Sequence, residues 1–235
     1  MIKNILFDLD GTLLPMDMDE FLKLYLYSLH KAFPSYHKDI NELSEVIMKG
    51  TYLMVNNNGS KTNEKVFYDF FKDIHGDKTD ELINNYENYY NNDYIIAKNA
   101  TSTNPYANLL IKELKKKGYN LILATNPLFP RIATLNRIKW AGLDPEDFTL
   151  ITTYENSSYC KPNLKYYDEI IDKLNLKKDE CLMIGNDTRE DYVITKLGIP
   201  CIILKDCLIN KDKLEIDFMT LEDLYKASLN YPYVK

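Results

Sequence analysis

The sequence predicts an α/β fold: a Rossmann-like, mainly parallel sheet with a helical segment inserted into it. Three observations carry this reading. Ile5-Leu6-Phe7 is a short apolar run that stops at Asp8 and a glycine turn, as a buried strand does. After Pro105, apolar runs of strand length alternate with helical periodicity, the pattern of right-handed crossovers that build a parallel sheet covered on both faces. Residues 15–94, between these regions, carry helical spacing alone.

Each element follows in order. After the first strand, apolar residues at helical spacing predict a helix over 19–29, with Asp17 or Asp19 as its cap. Further helices are expected over 46–55, 64–71 and 81–90, separated by the loops 56–60 and 76–78. The polar stretch 91–104, ending at Pro105, reads as the return linker. Then come a helix over 106–117, a strand over 119–124, a helix over 131–140 stopped by Gly142, and a strand over 148–152. Helices at 163–174, 190–197 and 221–229 and strands at 181–184 and 201–204 complete the chain. The first strand belongs with the later ones, so residues 1–14 and 101–235 are expected to form one α/β domain and residues 15–100 a helical domain spliced into it.

Composition narrows the function classes. A chain of 235 residues with 45% hydrophobic content can bury a full-sized core, and 19 tyrosines supply large buried surface with polar ends. A net charge of −6 argues against a general grip on nucleic acid, which needs clustered Lys and Arg. The run Lys115-Lys116-Lys117 ends a predicted helix, where cations complement the helix dipole. Cys160, Cys181, Cys201 and Cys207 lack zinc or redox spacing and read as buried free thiols. With no signal-peptide core and no apolar stretch of membrane-spanning length, a cytoplasmic protein is expected.

Four segments carry chemistry. The run Asp8-Leu9-Asp10-Gly11-Thr12 puts two carboxylates at the carboxyl end of a strand, where parallel α/β sheets place their ligand crevice. Acidic residues before Gly also make ordinary turns, but a calcium loop does not fit, because Thr12 and Leu13 stand where it needs an oxygen ligand and a glycine. Thr125-Asn126 follows the second core strand and offers a hydroxyl and backbone amides to phosphoryl oxygens. Lys161 precedes Pro162 and a predicted helix start on the same rim, where a lysine acts as a point charge on phosphate. Gly185-Asn186-Asp187-Thr188-Arg189-Glu190-Asp191 ends a strand in a carboxylate cluster. Helix capping accounts for part of it, and magnesium, which is held through one or two carboxylates, accounts for Asp187 together with Asp8.

In order and in strand context, these segments resemble the four motifs of the haloacid dehalogenase (HAD) superfamily. The resemblance implies that Asp8 is the nucleophile and a Mg²⁺ ligand, and that Asp10 is the general acid/base whose backbone carbonyl also meets the metal. It makes Thr125, supported by Asn126, a phosphoryl ligand. Lys161 neutralises the nucleophile, Asp187 completes the metal site, and Asp191 supports the metal shell or orients Lys161. The helical insert takes the place of a C1-type cap, which closes over the site and touches the leaving group. Asn186 departs from the pattern, since many members have Gly followed directly by Asp.

The implied function is a Mg²⁺-dependent phosphatase acting on a small phosphate ester through an aspartyl-phosphate. A phosphomutase of the same superfamily and a non-catalytic protein on this fold are the alternatives. A dehalogenase lacks the second acid at the position of Asp10, and a receiver-like module has neither that acid nor the insert. A phosphonate hydrolase would require a Schiff-base lysine such as Lys23 or Lys31 over the site. His30, His37 and His75 are expected to be surface or packing residues, and Arg131 and Arg189 to be solvated. Substrate and oligomeric state are not legible.

Overall fold

The computed structural model describes residues 1–234, apart from the side chain of Glu87. Six strands form one parallel sheet: β1 (Asn4–Phe7), β2 (Asn120–Leu123), β3 (Leu150–Ile151), β4 (Cys181–Gly185), β5 (Cys201–Leu204) and β6 (Phe218–Met219). Their order is β3-β2-β1-β4-β5-β6. The chain builds outward from β1 in one direction, then returns and builds in the other. The order therefore reverses between β1 and β4, and a reversal of this kind opens a crevice at the carboxyl ends of the strands.

Strand alternation explains why both faces are covered. Ile5, Phe7, Leu121, Leu123 and Ile184 point into one apolar cluster, while Leu6, Ile122, Cys181 and Met183 point into another. The first cluster takes apolar residues from α5 (Pro105–Lys116), α6 (Arg131–Trp140) and α8 (Leu221–Ser228). The second takes them from α7 (Leu164–Lys173) and the 3₁₀ turns at Tyr192–Leu197. With apolar layers on both sides, β1 and β4 are buried throughout, which is why they read as continuous apolar runs.

The helical insertion lies between β1 and β2. It comprises α1 (Met18–Ala32), α2 (Ile40–Val55), α3 (Asn63–His75) and α4 (Thr79–Asn91). Side chains of Asp17, Asp39 and Thr62 accept amide hydrogens at the starts of α1, α2 and α3, satisfying donors that a helix leaves open. The two ends of the insertion are tied together where Asp17 N–H donates to the Ala100 carbonyl at 2.9 Å and Ser102 N–H to that of Pro15 at 3.0 Å.

Three expectations need correction. The stretch 91–104 is not merely a polar linker, because 3₁₀ turns over Asp93–Ala100 bury Tyr94 and Ala97 against α1. The Tyr94 ring meets Phe21 edge-on at 6.3 Å and Trp140 at 5.0 Å, so this segment joins the insertion to α6. The predicted helix over 190–197 is 3₁₀ and begins at Tyr192, because Asp187 and Asp191 fold the preceding residues into tight turns. The short strand β6 was not foreseen, being only two residues long.

Lys117 also departs from its expected place. It is only 3% exposed, and its ammonium donates to the carbonyls of Ser228, Leu229 and Tyr231 at 2.9, 2.8 and 2.8 Å. It holds the carbonyls at and beyond the end of α8 instead of sitting in water beside Lys115 and Lys116. Lys117→Met keeps the apolar stem but strands these acceptors. It should lower stability by about 2–3 kcal/mol in urea denaturation, the scale of lost hydrogen bonds to a charged group.

Candidate active site

The site forms where the sheet order reverses. The chain leaves β1 at Asp8 and turns back at Gly11, whose φ of +85° suits glycine. A Cβ at Gly11 would also lie 2.3 Å from Asn186 Nδ2. Asn186 was noted in the sequence only as a departure, yet it clamps two loops. Its Oδ1 lies 2.9 Å from the Thr12 hydroxyl, and its Nδ2 donates to the Cys207 carbonyl at 2.8 Å.

Lys161 is the hub of the charged groups. It is 1% exposed and donates to Asp8 Oδ1 at 2.8 Å and to Asp191 Oδ1 at 2.6 Å. The other oxygen of Asp191 accepts the N–H groups of Asn186 and Asp187, both at 3.0 Å. Asp191 is thus fully partnered, and it fixes the lysine between the carboxyl ends of β1 and β4. Burial alone would lower the Lys161 pKa, but Asp191 and Asp8 outweigh it and keep the ammonium charged.

The two N-terminal carboxyls sit in different surroundings. Burial pushes Asp8 up to about 7 against the pull of Lys161, and Asp191 and Asp10 add to the rise. Asp8 Oδ2 also lies 3.1 Å from the Thr12 hydroxyl. Asp10 is likewise raised by burial, against Arg137 and Lys161. Its Oδ2 is 3.3 Å from the Arg137 guanidinium, and its buried Oδ1 has no partner among the described residues.

Arg137 escaped the sequence reading, which considered Arg131 and Arg189 instead. Arg131 is exposed, and Arg189 pairs with Asp212 on the surface. A usable signal existed: Ala133, Arg137 and Trp140 share the buried stripe of α6 at helical spacing, and an arginine on an apolar stripe needs a partner. Its guanidinium carbon stands 4.5 Å from the centre of the Phe129 ring, a cation–π distance. Lys23 is exposed beside Glu20, away from the site. His37 and His75 pack ring to ring at 5.2 Å inside the insertion, as expected of packing residues.

One cavity of about 370 Å³ brings the expected residues together. Asp8, Asp10, Thr125, Asn126, Asp187 and Asp191 line it, with Lys161 immediately behind Asp8. Thr125 is 2% exposed, and its carbonyl accepts from the Thr152 and Tyr166 hydroxyls at 2.6 and 2.9 Å, fixing the loop after β2. Asn126 Nδ2 donates to Glu190 Oε2 at 3.0 Å, and burial lifts Glu190 to about 7. Asp187 Oδ1 accepts the N–H groups of Arg189 and Glu190 at 2.7 and 3.0 Å, so this oxygen caps the turn.

The donor chemistry fits a hard divalent cation. Carboxylates of Asp8, Asp10, Asp187, Glu190 and Asp191 face the cavity, against the buried cations Lys161 and Arg137 and the exposed Lys211 at its rim. Asp8 is raised by burial first, with Asp191 and Asp10 adding to the rise, and the buried Asp10 Oδ1 is unpartnered among the described residues, so the site can take a further positive charge. Among the described residues no three His, Cys, Asp or Glu side chains form a ready metal cage. A magnesium ion does not need one, since it is held through one or two carboxylates and keeps several waters.

A model of the haloacid dehalogenase-like hydrolase family matches residues 2–192, and the chain belongs to that family. The pyrophosphatase PpaX of Bacillus cereus is 26% identical over 194 residues, covering 82% of this chain and 77% of the relative. Among solved structures, the HAD phosphatase from Thermococcus onnurineus aligns over 99% of this chain and all of its own, with a TM-score of 0.58 and 21% identity. YfnB from Bacillus subtilis, solved bound to magnesium, aligns over 98% of this chain and 99% of its own, with a TM-score of 0.57 and 20% identity. The structural likenesses establish the shared fold.

Gly185 is the tightest point of the site, because a Cβ there would lie 2.2 Å from the Asp191 carboxyl. Gly185→Ala should displace Asp191 from Lys161 and cost about 1–3 kcal/mol through overpacking, read as a lowered Tm in thermal denaturation.

Proposed function

We propose that this chain is a Mg²⁺-dependent phosphatase that hydrolyses a small phosphate ester through an aspartyl-phosphate on Asp8. The observation that carries the reading is the buried contact of Lys161 with both Asp8 and Asp191, beside an Asp10 held by its own arginine. Two similar carboxyls two residues apart thereby receive different partners, and different jobs follow. The curated relatives being pyrophosphatases and the solved relative being a phosphatase support phosphoryl chemistry.

Asp8 attacks the phosphorus, and the ester P–O bond breaks with its electron pair leaving on the alcohol oxygen. Asp10, whose hold on a proton burial strengthens against the pull of Arg137 and Lys161, gives that oxygen its proton. In the second half Asp10 takes a proton from water, whose oxygen displaces the Asp8 carboxylate from phosphorus and releases inorganic phosphate. Lys161 offsets the negative charge of Asp8 and of the phosphoryl group approaching it. Thr125 and the backbone amides after β2 hold the phosphoryl oxygens, with Asn126 in support. Asp8, Asp187 and the main-chain carbonyl of Asp10 would hold Mg²⁺, which when bound supplies Lewis-acid screening of phosphoryl charge. Residues 15–100 act as a cap over the core formed by residues 1–14 and 101–235, excluding water and contacting the leaving group.

Asp8→Asn should abolish Mg²⁺-dependent phosphate release, since an amide does not attack; appreciable turnover by the pure variant would refute the assignment. Asp10→Asn should slow alkyl esters by about 10²–10⁴-fold, the usual worth of general acid–base catalysis. It should slow an activated aryl ester much less, because a good leaving group departs without a proton. Because the base role of Asp10 in the second half is common to both esters, the comparison is read on leaving-group release in a single turnover, where equal losses on both would remove Asp10 from the acid role.

A further inference from the structure

The cavity above the carboxyl groups is built from rings. Phe21 and Tyr25 of α1, Phe67 of α3, Tyr86 and Tyr90 of α4 and Phe129 of the loop after β2 all face it. Flexible thioethers of Met48 and Met54 fill in from α2, and sulfur packs well against ring edges. None of these side chains carries charge. With Tyr154 on the core side the lining holds seven rings, and five of them come from the insertion, the part expected to meet the leaving group.

The cations are spoken for. Lys161 is held between Asp8 and Asp191, and Arg137 is ion-paired with Asp10 and covered by Phe129. Among the described residues lining the cavity, this leaves Lys211, exposed at the rim. A second phosphoryl group or a carboxylate on the leaving side would therefore rest against apolar walls without a buried cation, which is costly. An uncharged ring would meet rings in the offset and edge-on arrangements that aromatic pairs favour. Size points the same way. A dry cavity of about 150 Å³ takes benzene, so 370 Å³ accommodates one or two rings beside a phosphoryl group.

We infer that the substrate is a phosphate monoester whose leaving group is uncharged and has a one- or two-ring aromatic body. This rests on the phosphatase reading above, and it separates the chain from relatives named as pyrophosphatases.

The test pairs turnover with binding on the full chain with Mg²⁺. Phosphate release is measured from 1-naphthyl phosphate, pyrophosphate and phosphoglycolate. Binding of two non-hydrolysable probes, benzylphosphonate and methylenediphosphonate, is measured by calorimetry. The aromatic compound should win in both assays by about tenfold or more, the scale of one well-filled apolar subsite. Phe67→Leu, which keeps an apolar helix position, should weaken benzylphosphonate by about threefold or more, with inorganic-phosphate inhibition in the same variant as reference. Tighter methylenediphosphonate binding together with faster pyrophosphate hydrolysis would overturn the inference while leaving the phosphatase intact. No release from any ester, with benzylphosphonate still preferred, would remove the phosphatase reading and leave the aromatic ligand class standing. No release and no binding preference would remove both.

Discussion

The ammonium of Lys161, buried between Asp8 and Asp191, is the interaction on which the site depends. Three charged groups are removed from water there, and such an arrangement persists only when each has fixed partners. The partners come from the ends of β1 and β4 and from the loop before α7, segments that meet because the sheet reverses its order between β1 and β4. Asp191 accepts two backbone N–H groups with its second oxygen, and the missing Cβ of Gly185 leaves the space that carboxyl occupies. The geometry of the charge cluster is therefore set in part by backbone N–H groups.

A second layer of pairing separates Asp10 from Asp8. Arg137 reaches Asp10 from α6, and its guanidinium is held in place by Phe129 on one face. Burial raises both carboxyls, but Asp8 faces an ammonium locked to a second acid, whereas Asp10 faces an arginine with one oxygen and leaves the other, buried, without a partner among the described residues. Under the proposed reaction this asymmetry is what lets one residue attack and the other carry a proton. The aromatic wall then encloses the opposite side of the cavity. Its rings continue into the cluster of Tyr25, Tyr89, Tyr90 and Tyr94, so the lining is anchored in the same apolar mass that joins the insertion to α6.

Much of this was written locally. The strand ending at Asp8, the glycine turn, Thr125 after the second strand and the four-residue interval from Asp187 to Asp191 are short-range patterns. Each is imposed by the chemistry of a strand end, and each was readable at its own position. The helices of the insertion were readable as well from apolar spacing and from the cap Asp17, although the second begins at Ile40 behind Asp39, six residues before its expected start. Elements held by few local bonds were harder. The apolar run Tyr94-Ile95-Ile96-Ala97 is short and flanked by polar residues on both sides, which hides the burial of Tyr94 and Ala97, and β6 is too short to show a period.

By itself, then, the sequence determined the fold class, the place of the insertion and the identity of the charged segments, because hydrophobic period and strand-end chemistry are local properties. Only the tertiary structure decided which charges pair. Arg137 meets Asp10 across 127 positions of chain, Asn186 ties Thr12 to the Cys207 loop, and Lys117 leaves the solvent to hold the carbonyls beyond α8. It also decided that the insertion turns its rings toward the carboxyl groups. A side chain's partner depends on how crossovers and packed helices bring distant residues together, and periodicity along the chain does not encode that distance.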